Sequence, residues 1–347
     1  MITKTQYFDL LDQIAGKTVA VIYIFEGENA AGFKHYDIWR SSLISCWLNA
    51  IQELHCIPYI LDVRTFLFKV ANNTLPHIDF VINMNAGCEE LSTLGLIPSV
   101  CGFQNLECIP CNTSAIITGE NKNVANMIAQ CCNFKLPKEK KITDNGIFRP
   151  LNFGSSKGVY LTKDLSGTCA KGIVQEFIQG YDVTTPLMYN PLTEETNPLP
   201  TVFYRPEVND INWYLGDNAK KTSSGFSREI LPSVSSELIN KFINLAEKFD
   251  IDTYCRIDCR LFTDTPLDLS NLAKIELNTD NCYFIEMNPM PTIEIGNNFY
   301  VSMANVPNHF AFYDTIKYYN DYIEKHSIHG FILSCALIKR LISKHKK

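Results

Sequence analysis

The chain has 347 residues and a mass of 39.4 kDa, enough for a large core shared by more than one lobe, since a domain takes ~100–200 residues. With 46% hydrophobic and 20% charged residues it is balanced like an ordinary globular protein, which excludes disorder, collagen and coiled coil. A formal charge of −6 argues against a general nucleic-acid binder, so any anionic ligand has to be met by a local cluster of Lys and Arg. No apolar run reaches the ~20 residues of a membrane span, and the N-terminal sequence has no apolar signal-peptide core. The 13 cysteines are mostly set in apolar segments (Cys46, Cys101, Cys169, Cys282, Cys335), as reduced core residues are. One CxxC, Cys108 to Cys111, has Pro inside and no second pair at zinc-like spacing. The expectation is a soluble, cytoplasmic protein with no nucleic-acid or membrane partner.

In chain order, a helix-like opening precedes residues 18–25 (TVAVIYIF), a β-branched run with the look of a buried parallel strand. A turn-rich loop at 26–32 and a helical pattern over 36–54 follow. Strands are expected at 57–63 and 80–84, then a short helix at 89–94 and an apolar segment near 97–101. Strand alternating with helix implies a parallel α/β lobe over residues 1–115. The next unit, 116–185, opens with a helix at 123–132 and a basic run at 138–141 that reads as a solvated loop. Strands at 146–149, 158–162 and 172–178 make it a small, antiparallel lobe. The last unit, 186–347, holds a polar loop at 190–200, a helix at 235–249 and strands at 253–262 and 282–287. It ends in a helical tail from 306, whose basic end (Lys339, Arg340, Lys344, Lys346, Lys347) reads as solvated.

Three segments carry chemistry. In Tyr254-Cys255-Arg256-Ile257-Asp258-Cys259-Arg260, period two puts Arg256, Asp258 and Arg260 on one face and Cys255, Ile257 and Cys259 toward a core. The later Tyr283-Phe284-Ile285-Glu286-Met287-Asn288 puts Phe284, Glu286 and Asn288 on one side. If the two strands are neighbours, Asp258, Glu286 and Asn288 converge as hard oxygen ligands beside Arg256, as suits Mg²⁺. Glu276 is a rival for Glu286, because Ile275-Glu276-Leu277-Asn278 has the same order and the turn at 278–281 permits a hairpin between the two runs. A second segment, Arg149 to Val159, holds a Gly-Ser-Ser-x-Gly turn whose N–H and hydroxyl groups can wrap phosphate, with Arg149 and Lys157 supplying charge; it is no Walker loop. In the third, Ile173 to Val183, an apolar strand breaks at Gly180 and leaves an edge for a flat base and an acid for a ribose hydroxyl.

Taken in order, IFRPLNFGSSKGV, VQEFIQGYDV, DNAKK, CRIDCRLF and FIEMNP resemble the ATP-grasp superfamily, in particular ligases similar to D-alanine–D-alanine ligase. The resemblance implies an α/β (α+β) ATP-grasp fold, with an N-terminal parallel α/β lobe and two α+β lobes clamping ATP. It makes Lys122 and Arg149 the cations on the phosphates, Arg149 standing where Lys is usual. Gly154, Ser155, Ser156 and Gly158 would close over the phosphates, and the backbone of Glu176, Phe177 and Ile178 would face adenine. Asp182, in place of the usual Glu, would meet the ribose, and Gln175 stands where an acid is common. Lys220 would lie near the γ-phosphate, with Asp258, Glu286 and Asn288 holding Mg²⁺ (or Mn²⁺) and Arg256 beside the developing oxyanion; Arg256, Ser155 and Lys220 form the catalytic set.

Departures from that pattern bear on substrate. The family's Gly-Glu-Asp-Gly motif has no counterpart, NMNAGCEE (residues 83–90) occupying the region, and the Ser-x-Glu loop is missing, with Glu26 and Glu28 nearby. Pro-Met-Pro-Thr-Ile-Glu follows Asn288, and Asn297 stands near the Ser that holds the second substrate's carboxylate. The implied activity is a ligase joining a small-molecule carboxylate to an amine through an acyl phosphate, with release of ADP and phosphate; a homodimer is compatible with it. D-alanine–D-alanine ligase itself and a non-catalytic nucleotide-binding protein are the alternatives.

Overall fold

The computed structural model describes residues 2–24, 41–85, 91–152, 156, 158–164, 171–216, 219 and 224–345. Strands β1 (Thr18–Tyr23), β2 (Ile57–Asp62), β3 (Phe80–Met84) and β4 (Glu107–Ile109) form a parallel sheet in the order β2-β1-β3-β4. The unbroken apolar run of β1 is explained by its place inside this sheet, covered on both faces. Val19 and Val21 face a core with Leu43, Trp47 and Ile51 of the helix Ser41–Glu53, and Ala20 and Ile22 face another with Phe66, Ile97 and Cys101. The apolar segment expected near 97–101 is part of a helix, Leu96–Phe103, and β4 passed unpredicted.

A small antiparallel sheet follows, β5 (Ile147–Pro150) lying between β6 (Tyr160–Leu161) and β7 (Gly172–Gln175). The larger sheet runs β11 (Phe226–Leu231), β10 (Thr201–Pro206), β8 (Gly180–Asn190), β13 (Tyr254–Phe262), β15 (Cys282–Asn288), with β9 (Glu195–Pro198) paired to β8. Its long strand β8 spans the 185/186 boundary expected from the sequence. Pro186, which has no N–H to give, sits where the neighbour of β8 changes from β10 (Thr184 opposite Val202) to β9 (Leu187 opposite Pro198). The polar loop expected at 190–200 thus contains β9 and closes a hairpin. One face of this sheet packs Val183, Phe203, Cys255, Ile257, Cys259 and Phe284 against Leu238, Phe242 and Leu245 of the helix Ser236–Lys248, whose first turn is capped by the Ser235 hydroxyl accepting from Leu238 N–H. The opposite face carries Arg256, Asp258, Glu286 and Asn288, and at one end Met188 and Tyr254.

The run around Glu276 does not form a hairpin with β15. Strand β14 (Glu276–Leu277) pairs in parallel with β12 (Ser233–Val234) in a separate two-stranded sheet.

The helical tail returns to the first lobe. Leu333, Leu337 and Ile338 of the helix Ile328–His345 share the core of Trp47 and Ile51, and Met188 and Tyr254 of the large sheet join it. Arg340 is buried, not solvated: it donates to the Asp252 carboxylate and to the Pro110 carbonyl, and Lys339 lies over the Tyr189 ring. No helix among the described residues is long and apolar enough to cross a membrane.

Candidate active site

Between the small sheet and the polar face of the large one lies a cleft of about 620 Å³. Lys122, Arg149, Ser156, Glu176, Phe177, Ile178, Asp182, Arg256, Asp258, Glu286 and Asn288 all line it. Of the other residues the sequence singled out, Gly158 is described but does not line the cleft, whereas Gly154, Ser155, Lys157, Lys220, Glu26 and Glu28 lie outside the described residues.

The alternation of β13 positions its part as expected. Arg256, Asp258 and Arg260 line the cleft while Cys255, Ile257 and Cys259 are buried in the core. Opposite it, β15 departs from strict alternation. Asp258 faces Glu286 and Arg256 faces Asn288, but Cys259 faces Phe284, so Ile285 is the extra residue of a β-bulge. Phe284 is thereby turned into the core, contrary to the period-two reading. The Ile285 carbonyl accepts from Arg149 Nη1 at 2.8 Å.

Carboxylates and cations are paired in detail. Arg256 forms a bidentate pair with Asp258, Nε and Nη2 each 2.7 Å from an oxygen, and Thr184 donates its hydroxyl to the same carboxylate. Burial is the largest single effect and works to lower the Arg256 pKa, but the charge and hydrogen bonds of Asp258, with Tyr204 and Glu286 adding to them, together hold the guanidinium above its ordinary value. Arg149 Nη2 is 3.1 Å and Lys122 Nζ 3.8 Å from Glu286 Oε2. Burial lowers the Arg149 pKa below its ordinary value, the Glu286 charge opposing the shift.

Backbone structure sets both cations. Lys122 opens the helix Lys122–Cys131, capped by Asn121, and its N–H donates to the Leu151 carbonyl at 3.1 Å. Arg149 lies on β5 with Nη1 also 3.3 Å from the Gln175 amide oxygen. Gln175 is buried, its own amide donating to the Pro137 carbonyl.

At the other end, Arg260, which the sequence reading did not assign, organises the edge. It donates to the carbonyls of Ile178, Gly180, Ile211 and Trp213, lies 3.0 Å from Asp182 and stacks over the Phe177 ring at 5.0 Å. Asp182 also accepts from the Leu215 N–H at 2.7 Å. Ser156, in the left-handed region with φ 59°, donates its hydroxyl to the Leu215 carbonyl at 2.9 Å.

Asp258 and Glu286, opposed in register, have Asn288 next to them with a buried amide oxygen that no group among the described residues satisfies. Such an orphan acceptor beside two carboxylates fits a hard divalent cation that takes few protein oxygens. Glu276 is exposed, accepts from the Asn278 amide and is remote from this pairing.

A parallel α/β lobe followed by two antiparallel sheets that face each other across a polar cleft is the ATP-grasp architecture. More particularly, the fold is that of the D-alanine–D-alanine ligases. No protein-family model and no curated protein matches the sequence, but solved structures match the fold. D-alanine–D-alanine ligase from Bacillus anthracis superposes with a TM-score of 0.60 at 10% identity, over 95% of this chain and 99% of that one. The same enzyme complexed with ATP gives 0.58 at 13% identity over 95% and 99%. The VanG D-Ala:D-Ser ligase from Enterococcus faecalis gives 0.55 at 12% identity over 93% and 99%.

Proposed function

We propose that the protein is an ATP-dependent carboxylate–amine ligase that activates a carboxylate as an acyl phosphate, joins it to an amine and releases ADP and phosphate. The observation that carries this reading is the convergence of Lys122, Arg149 and Arg256 with Asp258, Glu286 and the unsatisfied Asn288 oxygen in one cleft, on a fold shared with ligases, one of them complexed with ATP. Residues 1–115, 116–185 and 186–347 serve as the leading α/β lobe, the small lobe and the large lobe, except that 180–185, the start of β8, belong to the large sheet; the last lobe sends its terminal helices back to the first.

In this reading the adenine lies along residues 176–178. The Glu176 N–H is taken by the Lys138 carbonyl and the Ile178 carbonyl by Arg260; among the described residues this leaves the Glu176 carbonyl and the Ile178 N–H for a base. Asp182 accepts a ribose hydroxyl. Lys122 and Arg149 meet phosphate oxygens, Gly154, Ser155, Ser156 and Gly158 cover them, and Lys220 reaches the γ-phosphate. Asp258, Glu286 and Asn288 hold Mg²⁺ or Mn²⁺, which when bound neutralises phosphate charge.

A substrate carboxylate oxygen attacks the γ-phosphorus and the bond to ADP breaks. The amine then attacks the acyl carbon, loses a proton to solvent and expels phosphate. Arg256, its direction fixed by Asp258, presents its remaining N–H groups to the oxyanion formed in the second step.

The test is ADP release across a panel of carboxylates and amines. The expected result is stoichiometric ADP, phosphate and amide, dependent on both substrates; ADP release indifferent to added amine, or AMP and pyrophosphate as products, would overturn the reading. D-alanine is expected to serve poorly, since residues 83–90 stand where the family's Gly-Glu-Asp-Gly motif would pair it. Efficient D-alanyl-D-alanine formation would contradict that.

A further inference from the structure

Among the described residues, the cleft contains one cation that the proposed chemistry leaves without work. Arg149 and Lys122 are matched to Glu286, Arg256 to Asp258 and Arg260 to Asp182. Arg228 lines the same cleft, and among the described residues no carboxylate pairs with it. Its Nε is buried and has no hydrogen-bond partner.

Arg228 is also held in place. On β11 it lies directly opposite Tyr204, and its guanidinium sits over two rings, 5.6 Å from the centroid of Tyr204 and 5.0 Å from that of Phe226. Two aromatic faces fix the plane of the fork and leave its edge for an acceptor, an arrangement suited to bidentate binding of a planar anion. Desolvation of the Nε makes an unmatched guanidinium costly unless a ligand supplies the acceptor.

The position separates this anion from the phosphates. Strand β11 is three strand steps from β13, each ~4.8 Å, and four from β15, where the metal-binding carboxylate Glu286 stands. Its neighbours belong to the substrate end: Tyr204 donates its hydroxyl to Asn298 at 2.9 Å, and Asn298 opens the helix Asn298–Met303 just after the segment 289–297. Asn297, Asn298 and Arg228 line one stretch of the cleft.

We propose that Arg228 is a specificity-determining residue that receives a carboxylate which is not the reacting one, so that one of the two substrates carries a carboxylate it keeps. That group is either the retained carboxylate of an amino-acid amine or the second carboxylate of a dicarboxylic acid. The inference rests on the ligase reading for the word substrate, but binding alone tests it.

The experiment uses the full chain with Mg²⁺ and a non-hydrolysable ATP analogue, and measures dissociation constants by calorimetry in two arms. One arm compares D- and L-alanine and D- and L-glutamate with their α-amides; the other compares succinate and glutarate with propionate and butyrate. In one arm the carboxylate-bearing member is expected to bind about tenfold tighter or more. Arg228→Met should abolish that preference with little effect on the neutral member, and Arg228→Lys should keep part of it. Absence of a carboxylate preference in both arms of the unmodified protein overturns the inference without recourse to any variant, and so does a preference that survives Arg228→Met. ADP release is scored separately, so a preference found without turnover would sink the ligase reading and leave the anion site standing.

Discussion

Glu286 answers to two cations at once, and that makes its replacement informative on two axes. With Arg149 at 3.1 Å and Lys122 at 3.8 Å, Glu286→Gln leaves two buried positive charges short of a partner, a change that costs up to about 3–5 kcal/mol where the pair is fully buried and less here, where the carboxylate is partly exposed. The variant is expected to melt lower without nucleotide and to recover part of the loss when ATP phosphates are present. Turnover should fall by on the order of 10²–10³-fold, as it should for Asp258→Asn. Glu276→Gln, exposed and in another sheet, should retain full activity; the reverse pattern in an ADP-release assay would move the ligand to the earlier run.

His329 gives a pH prediction at the same scale. Its ring is buried between Tyr300, whose hydroxyl is 2.7 Å from Nδ1, and the Ile293 carbonyl, 2.8 Å from Nε2. Burial pushes its pKa down to about 4, the Ile293 carbonyl opposing the shift. The folded state thus prefers the neutral ring, and the unfolded chain binds the extra proton first. This contribution to stability is fully present above the unfolded pKa of about 6.5 and is lost as pH falls through about 4, worth about 3 kcal/mol at most. His329→Gln should flatten the pH dependence of the denaturation midpoint between those values; an unchanged slope would rule His329 out as its source.

Among the elements, β8 rests on Gly180. The residue has φ 128°, and a Cβ there would stand 1.9 Å from the Leu261 carbonyl oxygen of the neighbouring strand. Neither the backbone angle nor the neighbour can give way cheaply, so Gly180→Ala should destabilise by more than about 2 kcal/mol and, by displacing the Arg260 contacts to the Ile178 and Gly180 carbonyls, weaken nucleotide binding. Gly16 is the control: φ is 76° with nothing within 4 Å, and its replacement by Ala should cost about 1 kcal/mol. Equal denaturation midpoints for the two variants would show that the close approach to Leu261 is relieved.

The same elements show what could be read in advance. The polar and apolar faces of β13 follow from CRIDCRLF because a strand alternates, and the site residues of β13 and β15 inherit that regularity. Phe284 escaped because one extra residue, Ile285, changes the face without any mark in composition. Strand β8 escaped because the apolar run reads as breaking at Gly180, where β8 begins; Asp182, Thr184, Thr185 and Pro186 break any apolar pattern, and its support comes from three neighbouring strands. Arg228 and Arg260 look like ordinary strand charges; only the tertiary arrangement gives one a pair of aromatic faces and the other four carbonyls.

For the whole molecule, the decisive feature is where the last helix goes. The sequence from 306 reads as a helical tail with a solvated basic end, yet in the helix Ile328–His345 residues 329–338 are buried without interruption, as in a helix enclosed on all sides. It packs with Trp47 and Ile51 of the first lobe and with Met188 and Tyr254 of the large sheet, while Arg340 ties Asp252 to the Pro110 carbonyl. One core therefore belongs to both ends of the chain, and it joins the first lobe to the large sheet that forms one wall of the cleft. Leu337, fully buried at that junction, is the probe. Leu337→Ala should cost about 2–5 kcal/mol through lost burial and the cavity left behind. Because the core is shared, the cost should appear as a fall of several degrees in a single calorimetric transition, with Trp fluorescence and far-ultraviolet dichroism moving together. Two resolved transitions, only one of them shifted by Leu337→Ala, would show instead that the first lobe folds apart from the rest.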